Sequence, residues 1–266
     1  MLGSKKGYPI ISVVLTTYNS ELTVKQVLES ILKQSYPLDR IELIIIDGGS
    51  KDLTLDIIRE FIKHYRDRFS DVRLVTHDKN YGVSRARNDG IKLSRGDYIL
   101  ILDHDVILNE STLETLYEYL KTSPSKVAGV VPLHVSVAAT HLKKWEELLF
   151  RGRVTKTLGA TSCLLVRREV IDQVGLYDET LGPPYTVYED IEYGARIVAK
   201  GFEIHLLGTY EVLHDTREFK GTSVSLYYKK LDTNNLKTLK ILASLRDSRY
   251  KYANRINKNE VIIYRR

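Results

Sequence analysis

A single cysteine, Cys163, in a chain of 266 residues excludes an intramolecular disulfide framework. It also excludes a zinc site built on paired cysteines. Standing alone, Cys163 reads as a small buried hydrophobe. No apolar run approaches the roughly 18 residues that a membrane-crossing helix requires. The opening MLGSKKGYP lacks the apolar core of a secretory signal. The expected compartment is therefore the cytoplasm. Internal repeats, low-complexity tracts and linkers are absent as well, which predicts one main domain. What the chain does have is 43% hydrophobic and 28% charged residues. That composition belongs to a folded chain with a large core.

Charge is unevenly spread. The net charge is +6, but residues 217–266 hold 13 Lys and Arg against 4 Asp and Glu. The rest of the chain is slightly acidic. A basic excess confined to a tail gives no support for nucleic acid as the partner of the whole protein. Residues 1–216 are expected to form the main domain, and 217–266 a basic, helical C-terminal appendage.

The first half alternates apolar runs with amphipathic stretches. Residues 10–15 (IISVVL), 41–46 (IELIII), 72–76 and 98–102 (YILIL) read as strands covered on both faces. Between them, apolar residues at helical spacing predict helices near 24–32, 55–65 and 83–93. This cadence implies α/β architecture with parallel pairing through right-handed crossovers. Further strands are expected at 127–131, 163–166, 203–207 and 211–213, and helices at 168–174 and 190–199. Residues 134–157 have weak periodicity and read as a helix plus a loop. In open parallel sheets, ligands sit at the carboxyl ends of the strands. Three polar clusters, TTYN, DGGS and DHD, fall at such ends.

Asp103-His104-Asp105 is the sharpest of them. Carboxylates at i and i+2 of an extended chain point to one side and can share a divalent cation. Mg2+ and Mn2+ suit one or two carboxylates with substrate phosphates completing the shell. Asp47, before Gly48-Gly49-Ser50, can accept bonds from a nucleobase or ribose. Equally, the segment can be a strand-to-helix turn capped by Ser50. Tyr18 can cover a base or simply pack. Glu189-Asp190 opens a helix, where the macrodipole favours acids and where a carboxylate can also take a proton from an acceptor hydroxyl. His214 can complete a metal shell or serve as a hydrogen-bonded structural histidine.

Taken in order, TTYNS, IIIDGGSKDLT, NYGVSRARNDGIKLSRGDYILILDHD, GLYDE and YEDIEYGARIVAKG resemble the inverting glycosyltransferases of family 2, over roughly residues 10–215. The resemblance implies the GT-A fold, a Rossmann-like, mainly parallel mixed sheet with helices on both faces. It also implies a nucleotide-diphospho-sugar donor, a divalent metal (Mg2+ or Mn2+) and inversion at the anomeric carbon. By motif, Thr16, Tyr18 and Asp47 line the nucleoside, and Arg87 sits near the donor. Asp103 approaches the ribose or the metal, Asp105 the metal and diphosphate, and His214 the diphosphate. Asp190 is the base, with Glu189 beside it orienting the acceptor, a glycan or lipid-linked glycan. Gly48 stands where many members carry a second Asp, which leaves the donor as UDP or GDP type. The loop 151–160 is expected to close over the donor.

Two other classes fit parts of the pattern. LILDHDVIL matches haloacid-dehalogenase-like phosphatases, with Asp103 as nucleophile and Asp105 as acid. That motif is usually on the first strand, and the later acidic metal motif is missing. A non-enzymatic sugar-nucleotide-binding protein is the third class, and the retained acidic pairs argue against it. In the tail, residues 224–245 combine leucines with Lys229, Lys230, Lys237 and Lys240. Such a helix can lie peripherally on an anionic membrane surface or pack on the domain.

Overall fold

The computed structural model describes residues 7–136, 150–158, 162–181 and 189–215, together with the backbone of a two-residue strand at 261–262. Each apolar run of the first half is a strand. These are β1 (Ile11–Thr17), β2 (Ile41–Asp47), β3 (Asp71–Thr76) and β4 (Tyr98–Asp103). β1 and β2 are buried along their whole length, as runs apolar on both faces require. The intervening helices are α1 (Val24–Leu32), α2 (Thr54–Tyr65) and α3 (Val83–Leu93). The four strands pair in parallel in the order β3-β2-β1-β4.

The chain continues as β5 (Val106–Ile107), α4 (Thr112–Thr122), β6 (Val127–Ser136), β7 (Val154–Thr157) and β8 (Cys163–Arg167). Then come α5 (Arg168–Val174), α6 (Glu189–Ala199), β9 (Glu203–His214) and β10 (Val261–Ile262). β8 lies between β4 and β6, antiparallel to both. β9 runs parallel to β6, and β7 antiparallel to β9. The sheet is thus mixed and mainly parallel around the first four strands, as expected.

Alternate residues of each strand serve opposite faces. Val13, Leu15, Leu43, Leu100 and Leu102 pack with α1, α2 and α4. Val14, Ile99, Ile101 and Leu164 pack with α3, α5 and α6. Each fully buried side chain of this size is worth about 1.5–3 kcal/mol. One close approach needs glycine: a Cβ at Gly90 of α3 would fall 2.2 Å from Val14 Cγ1. Helix α3 therefore lies directly on β1, and that closeness brings Arg87 within reach of the strand ends.

Four expectations change. Helix α4 was not foreseen, although Leu113, Leu116, Tyr117 and Leu120 recur at helical spacing and are buried. The two strands expected at 203–207 and 211–213 are one, β9. Its pairing with β6 jumps from Leu207 opposite Pro132 to Glu211 opposite Leu133, so an irregularity stands where a break was read. Residues 154–157 are not a loop over the donor; β9 captures them as the strand β7. In the stretch 134–157, β6 runs on to Ser136 and residues 137–149 lie outside the described ones. The helical reading of 217–266 also lies outside them, except that Val261–Ile262 is a strand paired with β7. Among the described residues, no helix is long and apolar enough to cross a membrane.

Candidate active site

Sheet register assembles the site. Thr16 stands beside Asp103 across β1 and β4, and Thr17 beside Asp47 across β1 and β2. Thr16 Oγ1 donates to Asp103 Oδ1 at 3.3 Å, and Thr17 Oγ1 to Asp47 Oδ2 at 3.0 Å. A cavity of about 260 Å3 opens over these strand ends. Its walls come from Thr16 to Tyr18, Gly48, the loop at Asn80 and Gly82, the start of α3 at Ala86 and Arg87, Asp103 to Asp105, and Glu189. Tyr18 is 41% exposed on the rim, so it does not simply pack.

Asp47 is fully buried, and it spends its carboxylate on the chain. Oδ1 accepts the Gly49 and Ser50 amides at 3.0 and 2.9 Å, and Oδ2 accepts the hydroxyls of Ser50 at 2.6 Å and Thr17. It lies behind the cavity wall and shapes the turn that brings Gly48 into it. Ser50 is not a helix cap: α2 begins at Thr54, after Leu53. Its hydroxyl instead takes the Asn19 amide at 2.8 Å and ties the β1 loop to the β2 loop.

Arg87 is a buried hub. Nη2 donates to both oxygens of Asp103, at 3.0 and 3.1 Å, and Nη1 to Glu189 Oε1 at 2.9 Å. Burial works against its charge, but the carboxylates of Asp103 and Glu189 raise the guanidinium pKa. Burial also raises the Glu189 carboxyl; Arg87 opposes this, while Asp190 and Asp103 add to it. Asp190, the next residue in the first turn of α6, is half-buried, and its Oδ1 accepts the Ile191 amide at 2.8 Å.

Asp103 and Asp105 both line the cavity, yet they face different partners. β4 ends at Asp103, and His104-Asp105 form a turn before β5. The turn gives the two carboxylates different protein partners while both line one cavity. Asp103 goes to Arg87, and Asp105 Oδ2 to His214 Nε2 at 3.0 Å. Pairing of Val106 with His214 across β5 and β9 sets that contact. Burial alone would raise the Asp105 pKa; the His214 bond and the charges of His214 and His104 hold it below the usual carboxylate range. His214 therefore braces Asp105. Among the described residues, no three ligating side chains form a ready metal cage.

Residues 12–175 match the family model for glycosyl transferase family 2. The chain belongs to that family. Glycosyltransferase AglE of Haloferax volcanii is 27% identical over 220 residues, covering 79% of this chain and 68% of AglE. The dolichyl N-acetyl-alpha-D-glucosaminyl phosphate 3-beta-D-2,3-diacetamido-2,3-dideoxy-beta-D-glucuronosyltransferase of Methanococcus voltae is 24% identical over 236 residues, covering 81% and 71%. Among solved structures, the mannosyltransferase PcManGT of Pyrobaculum calidifontis, in complex with GDP-Man and Mn2+, has a TM-score of 0.63 at 19% identity. That likeness covers 79% of this chain and 57% of PcManGT. TarS 1–349 of S. aureus in complex with UDP has a TM-score of 0.63 at 19% identity, covering 94% and 76%. These structures share the GT-A fold with this chain. The family assignment makes the chain a sugar-transferring enzyme and sets the phosphatase reading aside.

As a family 2 glycosyltransferase, the chain fits a divalent cation through donor chemistry. Asp105 is held ionised, hard carboxylate oxygens face the cavity, and an imidazole stands against one of them. A Mg2+ site needs few protein carboxylates when substrate phosphates complete it. Sequence reading missed several wall residues of this site. The sequence assigns no role to His104, between the two acids, or to Asn80 and Gly82 in the loop after β3. Gly82 has φ +94°, and a glycine in a polar loop after a strand was the available signal. Asn88 was missed too. It is 1% exposed and binds Tyr177, and nothing in its spacing marked it.

Proposed function

We propose that this family 2 enzyme is inverting and metal-dependent, moving a sugar from a UDP- or GDP-type donor to a hydroxyl of a glycan or lipid-linked glycan. The observation that carries this reading is one cavity at the strand ends bearing Asp103, Asp105 and Glu189, with Asp190 next in the chain. The nucleotides and Mn2+ named with the structural neighbours support the donor class. The Methanococcus relative, named for a dolichyl N-acetyl-alpha-D-glucosaminyl phosphate, supports the acceptor class.

Tyr18 and Thr16 face the nucleoside, and Asp47 contributes through the glycine turn that it holds. Asp105 and Asp103 would hold Mg2+ or Mn2+, with His214 fixing Asp105, and a cation there would supply positive charge against the charge growing on the departing diphosphate. Asp190 takes the proton of the attacking hydroxyl on the face opposite the leaving group, which gives inversion. Glu189 lines the cavity wall beside it and orients the acceptor.

A panel of UDP- and GDP-sugars, assayed for nucleoside diphosphate release with Mn2+, Mg2+ or chelator, tests this. The expected result is release from one donor class, stimulated by glycan or lipid-linked acceptor and abolished by chelator. Release undiminished in chelator overturns the metal role. No release from any donor with either metal overturns the donor class.

A further inference from the structure

Two adjacent residues of α3 hold the chain on either side of the segment that leads into α6. Asn88 brackets Tyr177: its Oδ1 accepts the Tyr177 amide at 2.8 Å, and its Nδ2 donates to the Tyr177 carbonyl at 2.9 Å. The same Nδ2 lies 2.8 Å from Glu179 Oε1. Arg87 takes the far side, at Glu189, the first residue of α6. The Tyr177 ring connects the two anchors. Its centroid is 5.4 Å from Arg87 Cζ, and it stacks on Tyr193 of α6 at 4.0 Å.

Arg87 also grips Asp103, which is on the cavity wall with its side chain 24% exposed. One guanidinium thus divides its charge between a carboxylate that a ligand can reach and the carboxylate that begins the base-bearing helix. Among the described residues its buried Nε–H meets no acceptor. A buried donor left unmet costs about 1–3 kcal/mol, so this hub has spare bonding capacity. When a ligand in the cavity takes up the charge of Asp103, more of the Arg87 charge is left for Glu189. Asp103 also repels Glu189, so a ligand that neutralises Asp103 lets Glu189 settle more firmly on Arg87.

We propose that Arg87, backed by Asn88, is a positioning residue that couples occupancy at Asp103 to the placement of the α6 N-terminus, and so of Asp190. The inference rests on the donor reading given above and adds a residue-level link between its two halves.

Hydrogen exchange of the full chain, with and without saturating UDP or GDP plus Mn2+, tests it. In the wild type, the nucleotide slows exchange in the first turns of α6, residues 189–195, by about tenfold or more. Arg87→Lys keeps the charge but loses the planar fork that spans two carboxylates. Titrated to saturation with the nucleotide, this variant shows slowing at α6 of less than about twofold, and its turnover drops about 10- to 100-fold. Asn88→Asp keeps the acceptor for the Tyr177 amide and loses both donated bonds, so part of the slowing disappears. Wild-type slowing in either variant when folded and nucleotide-bound overturns the coupling. Absence of slowing in nucleotide-saturated wild type does the same. Failure of wild type to bind any nucleotide strikes the donor reading itself and takes the coupling with it.

Discussion

Asp103 and Glu189 stand on the two sides of Arg87, and the tasks proposed for the acids around it differ, which separates their variants. Asp190→Asn keeps size and the bond to the Ile191 amide but cannot accept a proton. Turnover should fall by about two to four orders of magnitude while nucleotide affinity stays within a few-fold. Steady-state kinetics beside calorimetric nucleotide binding checks this; a variant that keeps most of its turnover makes Asp190 a helix-start acid and nothing more. Asp105→Ala should instead lose Mn2+-dependent nucleotide binding and turnover together, and binding undiminished by the change removes Asp105 from the metal site. The acidic residues were legible in the sequence because each follows an apolar strand or opens a helix. Their pairing was not. Asp103 meets Arg87 across 16 positions and Asp105 meets His214 across 109, and contacts of that kind depend on sheet order. The turn at His104 also gives the two carboxylates different protein partners, which the D-x-D spacing does not announce.

Strand and helix boundaries up to β4 were readable to within about two residues, since burial on both faces leaves an unbroken apolar run. The edge of the sheet beyond β6 was harder to read. β7 has the sequence VTKT, with Val154 48% exposed, so neither an apolar run nor strict alternation announces it. Polar contacts hold this edge instead. Glu203 at the start of β9 meets His205 Nε2 at 3.0 Å, Lys126 Nζ at 3.2 Å and Lys156 Nζ at 3.3 Å. Burial alone would raise the Glu203 pKa, but hydrogen bonds from His205, Lys126 and Lys156 hold it down at about 2, against an ordinary 4.5. A depressed carboxyl adds stability above its unfolded value, and this is lost as pH falls through the folded one. Glu203→Gln should therefore melt below wild type at neutral pH. The gap should narrow as pH drops from 4.5 toward about 2. Thermal melts across that range decide it, and a gap constant with pH would show that the ion cluster contributes nothing.

At the scale of the whole molecule, charge is divided between a slightly acidic catalytic region and the basic residues 217–266. We propose that this tail carries the enzyme to an anionic lipid surface, where a lipid-linked acceptor resides. Each basic residue close to such a surface adds about 1 kcal/mol. Liposome sedimentation should rise with anionic lipid content. Reversing Lys229, Lys230, Lys237 and Lys240 to Glu in the full chain should weaken it by tenfold or more, by the same roughly 1 kcal/mol per residue. Equal sedimentation of both proteins leaves the tail without a membrane role. The placing of β8 has a consequence of another kind, in the order of synthesis. β4 is complete at Asp103, and its neighbour β8 ends only at Arg167. Ribosomes add about 5–20 residues per second, so these roughly sixty residues take about 3–12 s. Throughout that interval β4 is an unpaired edge. The next long strand, β6, has to leave a gap of one strand beside it for β8 to fill from the opposite direction. Premature pairing of β6 with β4 would close that gap and trap the nascent chain, so the yield of folded enzyme should depend on translation speed between residues 104 and 167.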